Sequence, residues 1–145
     1  WSQPFSLGRQ SLRFKSKWVG QYADAPLYGS QQLIVGGAAS VRGSHSVSIV
    51  GDKGYYWQNT LSLVKTHQVG RAAINAEYSL GYDFGRVSSV RPLVYEGGMK
   101  AFFFGLNLST ASGWGLSVTH AVPMDVDGGL NKGDAHTSAT ISLDF

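Results

Sequence analysis

The sequence predicts an all-β protein, and more narrowly a transmembrane antiparallel β-barrel, from three observations. Apolar side chains recur at every second residue over long stretches, which is the period of a β-strand. Only 14% of the 145 residues are charged, against about 25% in an average soluble domain. The chain has 19 glycines, seven tyrosines, seven phenylalanines and four tryptophans but no cysteine, which excludes a disulfide framework and a thiolate metal site.

Six stretches of the chain alternate strongly enough to be predicted as strands. They cover residues 10–22, 55–64, 72–85, 101–109, 114–122 and 138–145. In the third stretch Leu80 and Tyr82 alternate with Gly81 as part of an almost unbroken pattern. At about 9–14 residues these strands are longer than the usual five or six, and a tilted strand needs about 9–11 residues to cross a bilayer.

The connections between these strands differ in length in a regular way. Short connections at 66–71 and 109–113 alternate with long ones at 23–54, 86–97 and 125–136. Outer-membrane barrels have short periplasmic turns on one side and longer extracellular loops on the other. The order of the connections therefore favours that class.

Alternation alone does not separate a membrane barrel from a soluble sandwich or jelly roll, because both have one apolar and one polar face. Here the polar face is small and rich in glycine and serine, and tyrosines and tryptophans cluster near the strand ends, where interfacial girdles lie. The soluble alternative predicts a protein that is monodisperse without detergent.

Six strands do not close a barrel, since single-chain bacterial barrels begin at about eight. We therefore expect the C-terminal part of a larger barrel, or one piece of a multi-chain assembly.

The connection at 23–54 contains a glycine-rich segment, residues 36–43, with the sequence Gly-Gly-Ala-Ala-Ser-Val-Arg-Gly. A loop of this length is uncommon in a compact fold unless it is functional. Asp83 follows Arg42 by 41 residues and lies on the polar face of its strand, where flanking glycines leave room for another group. An arginine at the tip of the loop can fold into the barrel and form a bidentate pair with that carboxylate.

Together these motifs resemble those of the two-partner secretion transporters, also called haemolysin secretion/activation proteins. The resemblance rests on Gly-Gly-x-x-Ser-Val-Arg-Gly in a long loop, Tyr-Asp-x-Gly-Arg-Val on a strand and a terminal phenylalanine, and it spans essentially the whole chain. It implies that residues 1–145 supply about six C-terminal strands of a sixteen-stranded barrel. It also implies that the loop at 23–54 is a lid folded into the lumen.

The resemblance assigns roles to individual residues. The tip of the lid is formed by Val41, Arg42 and Gly43, and Arg42 pairs with Asp83. The strand motif around that carboxylate includes Gly81 and Gly85. The family usually has an aromatic residue directly after Val-Arg-Gly, and this chain has Ser44 there.

The last strand ends on an alternating apolar stripe formed by Ile141, Leu143 and Phe145. A strand that ends on an aromatic carboxy terminus resembles the recognition signal of outer-membrane barrels. We therefore expect a protein of the bacterial outer membrane, with the membrane lipid and, during insertion, the barrel-assembly machinery as partners.

The function implied by the resemblance is protein translocation. The barrel would secrete a large unfolded exoprotein (a haemolysin, an adhesin or a contact-dependent inhibition toxin) without nucleotide hydrolysis. A barrel-assembly insertase is the main alternative, and an outer-membrane enzyme is a weaker one. Arg13, Lys15 and Lys17 form a basic stripe on one strand face, which we interpret as hydrated pore lining, with contact to the exported polypeptide as the alternative.

Other functional classes lack support in the sequence. The four histidines have no metal-ligand spacing, and the acidic stretch 125–134 lacks the glycine and the closing glutamate of an EF-hand. We identify no catalytic residue, and we expect no metal and no cofactor. A net charge of +3, without an aromatic and basic surface, does not favour nucleic acid.

Overall fold

The computed structural model describes residues 1–8, 10–43, 47–70, 72–91, 96–126 and 134–144. The strands are β1 (Ser2–Leu7), β2 (Gln10–Gln21), β3 (Leu33–Val35), β4 (Ile49–Gly51), β5 (Lys53–Val69), β6 (Ala72–Ser88), β7 (Glu96–Thr110), β8 (Trp114–Val126) and β9 (His136–Leu143). A single 3-10 turn spans Gly29–Gln31. Across these ranges no helix is long and apolar enough to cross a membrane.

Seven strands form one antiparallel sheet in the order β1-β2-β5-β6-β7-β8-β9, and β3 pairs with β4 in a separate hairpin. The strands β5 and β6 have 17 residues each, because their pairing continues from Lys53 opposite Ser88 to Val69 opposite Ala72. The predicted stretch 55–64 misses both ends of β5, whereas the predicted stretch 72–85 begins with β6 and misses only its last residues, 86–88.

The first strand of the sheet, β1, was not among the six predicted strands. It pairs with β2 from Ser2 opposite Lys15 to Leu7 opposite Gln10. Only six residues long, β1 contains Pro4, which cannot donate a ladder hydrogen bond and argues against a central strand in sequence. Because β1 is short and contains a proline, sequence alternation did not predict it. Over the described residues β1 and β9 lie at opposite ends of the sheet order, so this sheet does not close on itself.

One face of the sheet is apolar and open. Its exposed side chains include Trp57, Leu61, Tyr78, Leu80, Phe102, Phe104 and Ile141. Large apolar side chains exposed together across neighbouring strands mark an interaction surface, and they match the lipid-facing band of a membrane barrel. A soluble sandwich would instead bury this face against a second sheet.

The opposite face carries the buried core. The hairpin β3–β4, which belongs to the long connection, packs against β5, β6 and β7 there. The buried side chains between them are Leu33, Val35, Val41, Ile49, Tyr56, Val87, Met99 and Ala101. The described residues between β2 and β5 (22–43 and 47–52) thus form an inserted element, which we call the lid, and its placement against the inner face of the sheet creates the site described below.

Candidate functional site

The tip of the lid begins with a tight turn closed by Ser40. The Ser40 hydroxyl accepts a hydrogen bond from the Gly36 N–H (2.8 Å) and donates one to the Gly36 carbonyl (3.0 Å). Gly36 and Gly37 have φ angles of 123° and 83°, in a region that favours glycine. The turn places Val41 and then Arg42 against the inner face of the sheet. Val41 is fully buried there.

Arg42 and Asp83 meet in a bidentate ion pair. The Arg42 Nε donates to Asp83 Oδ2 and its Nη2 donates to Oδ1, each at 2.7 Å. The backbone N–H of Arg42 donates to Oδ2 as well, at 3.0 Å. The Asp83 side chain has no exposed surface, and the Arg42 side chain is 25% exposed. A buried carboxylate with three charge-assisted donors fixes both the position and the orientation of the lid tip.

Two further side chains hold the guanidinium. Thr60 Oγ1 accepts a hydrogen bond from Arg42 Nη2 at 3.0 Å, and the Phe103 ring centroid lies 3.8 Å from the guanidinium carbon. A cation so close to an aromatic face gains from the ring quadrupole. Phe103 lies opposite Gly81 in the register, and a Cβ on Gly81 would overlap the ring. The glycine therefore makes room for the ring that supports Arg42.

Gly43 and Gly85 allow other close approaches. Gly43 has φ 131°, and a Cβ built there would lie 2.6 Å from the Ala101 Cβ. A Cβ on Gly85 would lie 2.7 Å from Val35 Cγ1, a side chain of the lid hairpin. Any larger residue at either position would push the lid away from the inner wall.

Thr60 and Phe103 were not predicted as site residues. Phe103 did carry a signal, because it is a large aromatic on a face whose neighbouring positions, Ala101 and Gly105, are small. An aromatic side chain among small inward-facing residues indicates something to pack against. Thr60 carried no signal of its own, since a threonine is ordinary in any strand.

Asp52 forms a second buried polar centre, at the base of the lid. Its Oδ1 accepts hydrogen bonds from the Leu27 N–H (2.9 Å) and Gln32 Nε2 (3.0 Å). Its Oδ2 accepts from Ser89 Oγ (2.9 Å) and the Val90 N–H (2.8 Å). These hydrogen bonds, that of Gln32 first, hold the pKa of Asp52 well below its usual range, and they outweigh the opposing effect of burial.

Asp52 therefore ties three segments together: the first part of the lid, the start of β5, and the chain that leaves β6. Its side chain is 1% exposed, and its described partners are neutral donors. Sequence reasoning missed it because Gly-Asp-Lys-Gly at 51–54 is typical of a solvated turn. Its donors are distant in sequence, so no local pattern could have identified them.

The inner wall also carries the basic stripe. Lys15 and Lys17 lie on β2 opposite Thr60 and Gln58, and they line a groove of about 260 Å³ between the wall and the lid tip. The Lys17 Nζ lies 5.4 Å from the centroid of the Tyr56 ring. The stripe thus faces the same space as the ion pair, and Arg42 also lines the groove.

The remaining predicted residues fall elsewhere. Ile141 and Leu143 lie on β9, 72% and 38% exposed, while Phe145 and Ser44 lie outside the described residues, as does most of the acidic stretch 125–134. Within the described ranges no group of three His, Asp or Glu side chains is placed to hold a metal ion. His120 points outward, and its Nδ1 lies 2.8 Å from Thr137 Oγ1.

A sheet with an apolar outer face and an inserted lid on its inner face defines the wall of a membrane β-barrel with a folded-in loop. The particular family follows from comparison. The model of the haemolysin secretion/activation protein family ShlB/FhaC/HecB matches residues 1–137, so the chain belongs to that family. It is a family of secretion transporters.

Two relatives with similar sequences agree with this family assignment. The chain is 30% identical over 139 residues to the hemolysin transporter protein ShlB of Serratia marcescens, covering 86% of this chain and 23% of ShlB. It is 40% identical over 52 residues to the outer membrane transporter CdiB of Dickeya dadantii, covering 36% of this chain and 9% of CdiB.

The fold resembles that of CdiB from Acinetobacter baumannii, with a TM-score of 0.79 at 24% identity, over 98% of this chain and 25% of CdiB. The chain thus spans about a quarter or less of the length of these proteins. Its sheet corresponds to the C-terminal part of that barrel.

Proposed function

We propose that this chain is part of an outer-membrane translocator that secretes a large unfolded exoprotein by two-partner secretion. The observation that carries the proposal is the bidentate contact of Arg42 with the buried Asp83 at the tip of an inserted lid. Family membership supports it, since the relatives are named hemolysin and outer membrane transporters. The exoprotein is then a haemolysin, an adhesin or a contact-dependent inhibition toxin, and the proposed transport needs no catalytic residue.

The mechanism follows from the way the lid is held. Val41, Arg42 and Gly43 dock the tip on the inner wall, while Gly81 and Gly85 leave the space that the docked lid needs. Removing Arg42 would leave Asp83 as a buried and uncompensated charge, at a cost of about 3–5 kcal/mol. The ion pair therefore holds the lid in the lumen, and the lid holds the barrel in a conformation competent for secretion.

The proposal includes assembly. Ile141, Leu143 and Phe145 form the apolar stripe by which the barrel-assembly machinery would recognise the last strand, and the outward apolar face would then contact outer-membrane lipid. Neither nucleic acid nor a cofactor takes part.

The test is Arg42→Ala in the full-length transporter, produced together with its exoprotein. Secreted exoprotein should fall by about tenfold or more, because the docked state loses several kcal/mol, while the heat-modifiable barrel still appears in the outer membrane. Arg13→Ala is the matched control, since it removes an inward-facing arginine that has no ion pair in the described structure, and it should secrete normally. Full secretion by the Arg42 variant would contradict the proposal.

A further inference from the structure

The groove between the lid tip and the inner wall carries positive charge that no described carboxylate neutralises. Its volume is about 260 Å³, and three cations line it: Lys15, Lys17 and Arg42. The other lining residues are neutral, namely Ala38, Ala39, Gln58 and Thr60. The charge of Arg42 is matched by Asp83, which leaves the two lysines. Both lysine side chains are exposed, and among the described residues neither forms an ion pair.

The inward carboxylates of β6 are engaged or distant. Asp83 lies level with Lys17 in the register, through Gln58, but it already accepts three hydrogen bonds from Arg42. Glu77 lies four residues along β6 from the level of Lys15, which is about 14 Å at the rise of an antiparallel strand. Two like charges on one strand face repel each other, so an anionic ligand would stabilise this arrangement.

The Lys17 ammonium is positioned without losing its charge. Its Nζ lies 5.4 Å from the centroid of the Tyr56 ring, and Tyr56 is buried in the core beneath the lid. An aromatic ring attracts a cation but carries no net charge. An ammonium has three donors, so Lys17 is held close to the wall and can still bind a carboxylate.

The two lysines have the spacing of an extended polypeptide. They are two residues apart on β2, so their Cα atoms are about 6.8 Å apart on one face of the strand. Alternate side chains of any extended segment point to the same side with the same spacing. A segment with acidic residues at alternate positions can therefore place one carboxylate against each ammonium.

We propose that Lys15 and Lys17 bind acidic side chains at alternate positions of the exported polypeptide, as an extended segment passes between the inner wall and the lid tip. The occupant rests on the proposed function, because an unfolded exoprotein would pass through the lumen that this wall lines. A positively charged, confined groove raises the local concentration of an acidic segment. The uncompensated charge therefore favours contact with the exported chain over hydrated pore lining.

The first experiment measures peptide binding by fluorescence anisotropy, with the full-length transporter in detergent at low salt. The probes are a labelled peptide in which glutamate alternates with threonine, its glutamine counterpart, and a peptide with the same number of glutamates at every third position. We expect K15Q/K17Q to bind the alternating acidic peptide about tenfold more weakly than wild type, equivalent to about 1.4 kcal/mol.

The matched control is R13Q/K65Q, which removes the same charge and should bind the alternating peptide as wild type does. Arg13 lies on the same strand face but does not line the groove, and Lys65 lies on the outward face of β5. Heat-modifiable gel mobility of each variant checks that the barrel is folded. Unchanged affinity in K15Q/K17Q would overturn the site, as would equally tight binding of either comparison peptide by wild type.

The second experiment identifies the occupant during secretion. Benzoylphenylalanine in place of Ala39, an exposed lid residue that lines the groove, should form a light-induced adduct with the exoprotein, and K15Q/K17Q should reduce that adduct. An adduct only within the transporter would show that another of its own segments fills the groove, and the proposal would be wrong.

Failure of this site is separable from failure of the proposed function. Full secretion by Arg42→Ala would remove the lid mechanism, while a loss of peptide affinity in K15Q/K17Q would still establish the acidic-peptide site. Conversely, impaired secretion by Arg42→Ala with unchanged peptide affinity in K15Q/K17Q would leave the translocator standing without this contact.

Discussion

At the scale of single residues, the ion pair at the lid tip depends on groups that have no charge. Asp83 is fully buried, and a carboxylate in such a place is tolerated only when donors satisfy its oxygens. Arg42 supplies three hydrogen bonds, while Thr60 and the Phe103 ring keep its guanidinium in place. Gly81 matters only because it has no side chain and the ring needs that space.

Gly43→Ala tests whether the tip needs its close approach to the wall. The position has φ 131° and its Cβ would lie 2.6 Å from Ala101 Cβ, and backbone strain of this kind costs about 1–3 kcal/mol even before the clash. We expect secretion by the full-length variant to fall several-fold and the lid to become cleavable by an added protease.

Gly29→Ala is the matched control for this change. Gly29 lies in the same lid, its φ is not in the left-handed region, and a Cβ there meets nothing within 4 Å. It should behave as wild type. If the Gly43 variant secretes as well as the Gly29 variant, close docking of the tip is not required.

At the scale of elements, the lid is held at three places. Its tip is held by the ion pair, its hairpin by apolar contacts of residues such as Val35 and Ile49, and its base by Asp52. The three attachments differ in chemistry, since the apolar contact is insensitive to pH and the Asp52 cluster requires an ionised carboxylate. The base should therefore loosen before the apolar hairpin when the solution is acidified.

Asp52→Asn tests the attachment at the base. The amide has one acceptor oxygen in place of two, so at least one pair of donors, at 27 and 32 or at 89 and 90, loses its partner. We expect faster cleavage of the lid by an added protease at neutral pH. Asp24→Asn is the control, because Asp24 is an exposed carboxylate of the same lid.

The pH dependence of the same assay follows from the lowered pKa of Asp52. A carboxyl group whose folded pKa is depressed contributes stability that is fully present above its unfolded pKa, about 3.9, and is lost as the pH falls towards the folded value. Protease resistance at the base should thus be constant from neutral pH to about pH 5 and decline below about pH 4. In Asp52→Asn this decline should be smaller, and an equal decline would show that another group is responsible.

At the scale of the whole molecule, the sheet separates two environments, and each of its faces carries a different kind of side chain. Outward side chains such as Leu61, Leu80 and Phe104 are large and apolar, and inward ones are small, polar or covered by the lid. Neighbouring residues of one strand therefore differ in which substitutions they tolerate.

Leu80 and Ser79 allow that difference to be measured within a single strand. Leu80 is 45% exposed on the outward face, and an arginine on the lipid face costs about 2–4 kcal/mol near the middle of the bilayer. Leu80→Arg should reduce the heat-modifiable barrel in the outer membrane, while Ser79→Arg, which places the same charge on the inner face, should reduce it less. Equal loss for both would contradict the assignment of the faces.

Sequence alternation predicted some strands of the sheet and missed others. The middle of β6 was evident from Leu80 and Tyr82, because lipid on one side and a lumen on the other impose a period of two. The whole of β1 was missed, since six residues with a proline carry too little alternation. Both ends of β5 and the last residues of β6 were missed for a related reason, because hydrogen-bonded pairing continues where the hydrophobic pattern stops.

The sequence by itself determined the fold class, the two faces of the sheet and the family, because alternation and short motifs are properties of neighbouring residues. Only the tertiary structure decided which groups surround the Arg42 guanidinium and that Asp52 joins three segments. Those relations depend on strand register and on contacts between residues far apart in the chain. A period of two is the same for every register that keeps the faces, so it cannot encode them.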